Sequence, residues 1–88
     1  MAWLIELTHA AERQLYALGN AERRQILKFL QKLQSRDDPQ TLGKPLSGPL
    51  RGLWRYRVGE YRLICEIRRS VLTLTVIRIG NRSDVYRS

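Results

Sequence analysis

Residues 54–67 read WRYRVGEYRLICEI, and this stretch decides the fold. Polar and apolar side chains alternate through most of it, which is the period of a strand with one buried face. The dipeptide Gly59-Glu60 divides the stretch, and a glycine at the first central position suits a type II′ two-residue turn. The stretch therefore predicts a tight antiparallel hairpin.

The turn also predicts the register of this hairpin, because loop length fixes which residues lie opposite each other. Arg57 is expected opposite Arg62, and Arg55 opposite Ile64. One face is expected to enter the core, and it carries Trp54, Tyr56, Val58, Tyr61, Leu63, Cys65 and Ile67. The other face carries Arg55, Arg57, Arg62 and Glu66.

The N-terminal half predicts one strand and two helices. Residues 2–7 form a short run rich in strand formers. Thr8 can cap a helix that extends to about Leu18, and Gly19 ends it before a second helix begins at Asn20. The apolar stripe of the second helix is Ile26, Phe29, Leu30 and Leu33.

The remaining segments complete an α+β fold. Residues 35–48, with two prolines and two glycines, predict a loop. Arg69-Ser70 predicts a second two-residue turn before a strand over residues 72–79, with Leu72, Leu74 and Val76 on the core face. The order β-α-α-β-β-β predicts one domain over residues 1–88, a helical hairpin packed on a mainly antiparallel four-stranded sheet.

Charge is distributed unevenly along the chain. The net charge is +8, of which residues 1–43 contribute +1 and residues 44–88 contribute +7. Such asymmetry is typical of a surface that binds a polyanion, nucleic acid above all. A solvated basic surface without a ligand is the alternative that charge alone leaves open.

Other features of the composition exclude several classes of protein. The chain has no apolar run of the roughly 18 residues that span a bilayer, and its N-terminal residues Met1 to Glu6 lack the basic leader of a signal peptide. It has one cysteine, Cys65, and one histidine, His9, too few for a disulfide or a zinc site. We expect a cytoplasmic protein without a metal or another cofactor.

The arginine face is the strongest functional signal. Arg57 opposite Arg62 is a like-charge pair, which destabilises a sheet unless an anion lies between the two guanidinium groups. A solubilising strand face is the structural alternative. Lys44 and Arg51 precede the hairpin and would extend the basic surface. Arg82 and Tyr86, in the segment after Gly80, would add a charge for phosphate and a ring on which an RNA base can stack; Tyr86 packed against the sheet edge is the alternative.

Three segments together resemble the RelE-type toxins of the RelE/ParE superfamily. They are GKPLSG at residues 43–48, LWRYRVGEYRL at residues 53–63, and IGNR with VY at residues 79–82 and 85–86. The order of elements matches the family over nearly the whole chain. The resemblance implies a toxin that cleaves messenger RNA in the ribosome and is neutralised by a small antitoxin with an extended, helical and often acidic segment.

The resemblance also implies which residues act. Positions 55, 57, 62, 82 and 86 match the family's functional residues, so Arg62 and Arg82 would bind the phosphate, Arg55 and Arg57 the scissile region and leaving oxygen, and Tyr86 would stack on a base or orient the 2′-hydroxyl. Attack of that hydroxyl on the adjacent phosphate builds negative charge that guanidinium groups stabilise. RelE has lysines at the positions of Arg55 and Arg57. Because arginine stays protonated, the expected role of these two residues is electrostatic.

Two other functions remain open at this point. A ParE-type gyrase inhibitor shares the fold without being a ribonuclease. A non-catalytic RNA-binding module would make the same phosphate contacts, and a change of Tyr86 would then alter affinity rather than rate. An inactive, antitoxin-bound remnant of a toxin is a further possibility.

Overall fold

The computed structural model describes residues 2–81. Two helices and five strands make up most of this part of the chain. In chain order they are β1 (Leu4–Leu7), α1 (His9–Tyr16), α2 (Asn20–Gln34), β2 (Lys44–Pro45), β3 (Trp54–Val58), β4 (Tyr61–Arg68) and β5 (Thr73–Asn81). Short 3₁₀ turns lie at Pro39–Leu42, Gly48–Leu50 and Arg69–Val71.

The strands form one sheet in the order β1-β5-β4-β3-β2. β1 is parallel to β5, and the other neighbouring strands are antiparallel. The predicted α+β class is confirmed, but the sheet has five strands rather than four. The additional strand, Lys44–Pro45, lies in the segment predicted as a loop. It has only two residues, too few for an alternation of polar and apolar side chains to be recognised. One of the two is a proline, which cannot donate a hydrogen bond to a neighbouring strand.

Both helices contribute apolar side chains to a core on one face of the sheet. α1 contributes Ala11 and Leu15, and α2 contributes three buried residues of its predicted stripe. The indole of Trp3 is 2% exposed and donates a hydrogen bond from Nε1 to the Asp37 carbonyl oxygen. The buried cluster comprises Trp3, Ala11, Leu15, Ile26, Leu30, Leu33, Tyr56, Val58, Leu63, Cys65, Leu74, Val76 and Ile79.

The helix boundaries follow local hydrogen bonds. Thr8 caps α1 as predicted, and its hydroxyl accepts a hydrogen bond of 3.1 Å from the Ala11 amide. α1 ends at Tyr16, before the predicted Leu18. Arg23 of α2 caps this end, because its guanidinium donates to the carbonyl oxygens of Tyr16 and Leu18, which have no donor within the helix.

The β3–β4 hairpin has the predicted register. Gly59 has a φ of +58°, whereas among the described residues the only non-glycine with positive φ is Leu72, so Glu60 has the negative φ of a type II′ turn. All five predicted pairs occur: Trp54 with Cys65, Arg55 with Ile64, Tyr56 with Leu63, Arg57 with Arg62, and Val58 with Tyr61.

The β4–β5 connection is longer than predicted. Arg68 pairs with Thr73, so four residues form the connection, where the sequence indicated the two residues Arg69-Ser70. Leu72 lies in this connection with a left-handed φ of +48°, and Arg69 is held by hydrogen bonds to the side chains of Asp38 and Gln40. Leu74 and Val76 still face the core, because a register error of two residues preserves the face of every side chain.

Tyr56 anchors the segment between α2 and β2 to the sheet. Its hydroxyl donates a hydrogen bond of 2.8 Å to the Pro39 carbonyl oxygen, and its ring meets Phe29 edge to face at a centroid distance of 5.7 Å. A Cβ atom at Gly43 would lie 2.9 Å from the Tyr56 ring. Glycine at position 43 therefore allows the chain to enter β2 beside that ring.

Candidate nucleic-acid interface

The sheet face opposite the helices carries two adjacent rows of basic residues. In the first row Lys44 lies opposite Arg55, Arg55 opposite Ile64, and Ile64 opposite Arg78. This row crosses β2, β3, β4 and β5, a span of about 14 Å at the usual strand spacing. In the second row Arg57 lies opposite Arg62, and Arg62 lies opposite Gly80. We call these five cations, Lys44, Arg55, Arg57, Arg62 and Arg78, the basic face.

The basic face is less open than the sequence suggested. Arg57 and Lys44 are exposed and Arg55 and Arg78 are half-buried, but Arg62 is only 5% exposed. Its Nη1 donates to the Tyr61 carbonyl oxygen at 3.3 Å. Within residues 2–81, no ion pair to Arg62 is found, and the Nε atom of Arg55 is buried without a hydrogen-bond partner.

These features describe a site that favours an anion. A buried charge without a counter-ion costs several kcal/mol in a protein interior. A phosphate supplies both the opposite charge and the acceptor oxygens that paired guanidinium groups bind in bidentate fashion. The arrangement can hold a polyanion across the strands and stabilise negative charge that develops on it.

The other candidate residues lie in several places. Arg51 is exposed in the connection between β2 and β3, outside the two rows. Glu66 is exposed and lies opposite Thr75, beyond the first row on the same face of the sheet. Arg82 and Tyr86 fall outside the described residues, so their predicted roles remain predictions.

Sequence reasoning missed Arg78. Apolar residues at 72, 74 and 76 continue at 77 and 79, so the alternation shifts its phase within β5. Such a shift is the sequence signal of a β-bulge, and the structure has a register irregularity at this point of the β4–β5 ladder. Strict alternation would instead have placed Arg78 on the core face.

Two titratable groups on the core face are not candidates for proton transfer. Burial raises the pKa of the Tyr56 phenol and that of the Cys65 thiol far above neutral pH. Both groups therefore stay protonated.

Among residues 2–81, no three His, Cys, Asp or Glu side chains are grouped as metal ligands would be. Neither α1 nor α2 has the length and hydrophobicity of a membrane-spanning helix.

Comparisons with known proteins agree with this fold. Residues 5–86 match the family described as the ParE toxin of the type II toxin–antitoxin system, parDE. The curated protein Toxin RelG of Mycobacterium tuberculosis is 32% identical over 87 residues, which cover 99% of each chain. Toxin RelE of the same organism is 39% identical over 51 residues, 58% of this chain and 53% of the relative.

Solved structures give the same result. The RelBE2 toxin–antitoxin complex of M. tuberculosis contains a chain with a TM-score of 0.84 and 28% identity, over 93% of this chain and all of that one. The archaeal RelE–RelB complex from Pyrococcus horikoshii contains one with a TM-score of 0.75 and 22% identity, over 96% and 99% of the two chains, a likeness of fold alone. From its family match and its relatives, this chain belongs to the RelE/ParE family of toxins of type II toxin–antitoxin systems.

Proposed function

We propose that this toxin is a metal-independent endoribonuclease that cleaves messenger RNA in the ribosome and so inhibits translation. The observation that carries the proposal is the basic face, with Arg57 directly opposite a buried Arg62. A fold gains nothing from this like-charge pair by itself, whereas a bound phosphate would remove the repulsion.

The proposed reaction needs no protein nucleophile. The ribose 2′-oxygen attacks the adjacent phosphorus, the bond from phosphorus to the 5′-oxygen breaks, and a cyclic phosphate and a 5′-hydroxyl result. The proton of the 2′-hydroxyl passes to solvent water, and the leaving 5′-oxygen takes a proton from water. The arginines remain protonated throughout, so their contribution is to bind and stabilise the pentacoordinate phosphorane.

Roles within the site follow from position. Arg62 with Arg82 would hold the scissile phosphate, and Arg55 with Arg57 would contact the scissile region and leaving oxygen. Tyr86 would stack on a base or orient the 2′-hydroxyl. Lys44 at the end of the first row, and Arg51 in the connection between β2 and β3, would bind flanking phosphates. If RNA binds across this face, its affinity should fall steeply as the salt concentration rises.

A cognate antitoxin is part of the proposal. Relatives of this fold are found as RelBE2 and RelE–RelB complexes. An acidic segment of such a partner would be attracted by the net charge of +8 and would cover the basic face. A toxin–antitoxin complex that still cleaves messenger RNA would contradict this part of the proposal. We expect the toxin to act in the cytoplasm, where its ribosomal target lies.

The test is primer-extension mapping of a reporter messenger RNA during cell-free translation, with and without ribosomes. Wild-type protein should cut within the reading frame, and cutting should depend on ribosomes. Arg57→Ala, Arg62→Ala and Arg82→Ala should abolish or strongly reduce the cuts. Arg68→Ala is the matched control, because Arg68 is an exposed arginine of β4 that lies opposite Thr73, away from the two rows.

One observation favours a second function. The family model that matches the chain is described as the ParE toxin, and a ParE-type protein of this fold would inhibit gyrase rather than cleave RNA. If messenger RNA stays intact at toxin levels that stop growth, the ribonuclease proposal fails, and gyrase-dependent DNA damage is the next measurement. If RNA binds without being cut, the protein is an RNA-binding module.

A further inference from the structure

A β-bulge in β5 changes the face on which its side chains lie. Cys65 pairs with Val76, but its neighbour Ile64 pairs with Arg78, so Ile77 is an extra residue of β5. An extra residue of this kind reverses the alternation of all side chains that follow it.

The burial of β5 shows this reversal. Before the bulge, Leu74 and Val76 face the core and are fully buried. After it, the core residue is Ile79, which is 3% exposed, and Arg78 lies on the opposite face beside Ile64. Without the bulge, Arg78 would follow Leu74 and Val76 into the core. The bulge is thus what places a cation at the β5 end of the first row.

The first turns of α1 hold the bulge in place. β1 ends at Leu7, so β5 has no strand partner on that side beyond this point. The Thr8 amide donates to the Val76 carbonyl oxygen at 2.9 Å, and the Thr8 hydroxyl donates to the Ile77 carbonyl oxygen at 2.8 Å. The side-chain oxygen of Gln14 accepts a hydrogen bond of 2.7 Å from the Ile79 amide.

We propose that Arg78 is a further RNA-phosphate-binding residue and that Gln14 is a positioning residue, which sets Arg78 on the basic face by holding the bulge. The inference rests on the proposed function, because it names an additional contact of the same site. Gln14 lies on the core side of the sheet, on a helix, and its effect on RNA passes through the backbone amide of Ile79, next to Arg78.

The contact of Arg78 is tested with an RNA oligonucleotide that carries 2′-O-methyl groups, so that binding is measured without cleavage. Arg78→Gln should weaken affinity about tenfold, the loss of one charge-assisted contact. It should also lower the slope of log affinity against log salt by about 0.7, the value for one phosphate of a single strand. Arg68→Gln should leave both quantities unchanged. Wild-type affinity and slope in Arg78→Gln would overturn the inference.

The role of Gln14 is tested by a double-mutant cycle. Gln14→Met keeps the side-chain length but removes the acceptor, and it should weaken RNA binding, whereas Gln14→Glu keeps an acceptor and should retain more of the affinity. In the Arg78→Gln background, Gln14→Met should have no further effect. An equal loss in both backgrounds would show that Gln14 only supports the fold, and it would overturn the positioning role. Thermal melts establish that each variant is folded.

Arg57→Gln separates the two proposals. If Arg57→Gln weakens binding and Arg78→Gln does not, the further inference fails alone. If neither variant weakens binding, the basic face does not bind RNA, and the proposed function fails together with the inference.

Discussion

Arg57 and Arg62 face each other across the β3–β4 hairpin; Arg57 is exposed, whereas Arg62 is only 5% exposed. Directly opposed like charges destabilise a sheet. The hairpin keeps this repulsion at the centre of the basic face, where a bound phosphate would cancel it. Replacing Arg57 by an uncharged residue should therefore raise the stability of the free protein and lower its affinity for RNA.

The first prediction concerns the repulsion between Arg57 and Arg62. Arg57→Gln should raise the free energy of unfolding by a few tenths of a kcal/mol at low salt, because it removes the repulsion. High salt screens exposed charges, so the gain should shrink there. Urea denaturation at two salt concentrations measures both effects, with Arg68→Gln as the control. A less stable Arg57→Gln protein at low salt would count against a strained pair.

The second prediction concerns the Tyr56 hydroxyl. Tyr56→Phe removes the donor to the Pro39 carbonyl oxygen and should lower the free energy of unfolding by about 1–3 kcal/mol, since a buried acceptor loses its partner. Tyr16→Phe is the control, because the Tyr16 side chain is 66% exposed. Chemical denaturation compares the two variants. Equal stabilities would show that the Pro39 carbonyl finds water instead.

The third prediction concerns Cys65. Burial raises the pKa of its thiol, and the side chain is fully buried, so the reactive thiolate is almost absent near neutral pH. Alkylation by iodoacetamide should be slow in the native protein and fast in guanidinium chloride. Mass spectrometry over time measures the two rates. Rapid labelling of the native protein would mean that the β4 region opens frequently.

The fourth prediction concerns acid stability. The hydrogen bond from Arg69 lowers the pKa of Asp38 below its ordinary value of 3.8. A lowered pKa stabilises the folded protein above the unfolded value, and this contribution is lost as the pH falls through the folded value. Asp38→Asn should therefore be less stable than wild type near neutral pH.

The difference between Asp38→Asn and wild type should shrink below pH 3.8 and disappear once the pH has fallen through the lower pKa of the folded carboxylate. Thermal melts across this range measure the difference. Because the pair is exposed, high salt should reduce it. Equal stabilities of Asp38→Asn and wild type near neutral pH would mean that Asp38 acts through its hydrogen bond to the Gln40 amide, which asparagine also accepts, and not through its charge.

The parts of the fold that local chemistry determines were predictable from sequence. Gly59 specifies a turn of known geometry, so every pair of the β3–β4 hairpin could be assigned. The capping role of Thr8 follows from its side chain alone. These features depend on residues a few positions apart, and a single sequence contains that information.

The parts that depend on distant contacts were not predictable. The β4–β5 connection is fixed by Arg69 reaching Asp38 and Gln40 about thirty residues earlier in the chain. The short strand at Lys44–Pro45 exists because β3 offers an edge. The bulge at Ile77 depends on groups of α1, although its phase shift is visible in the sequence. The basic face was therefore found without Arg78.

The parallel pairing of β1 with β5 has a consequence for synthesis on the ribosome. The first and last strands that the structure describes lie side by side, so β1 gains its neighbour only after Thr73–Asn81 has been made. Domains form as units while a chain is being elongated. A nascent chain that stops before β5 lacks the strand that joins the two ends of the sheet. The sheet is thus completed only after β5 has been synthesised, whichever of the other elements form before it.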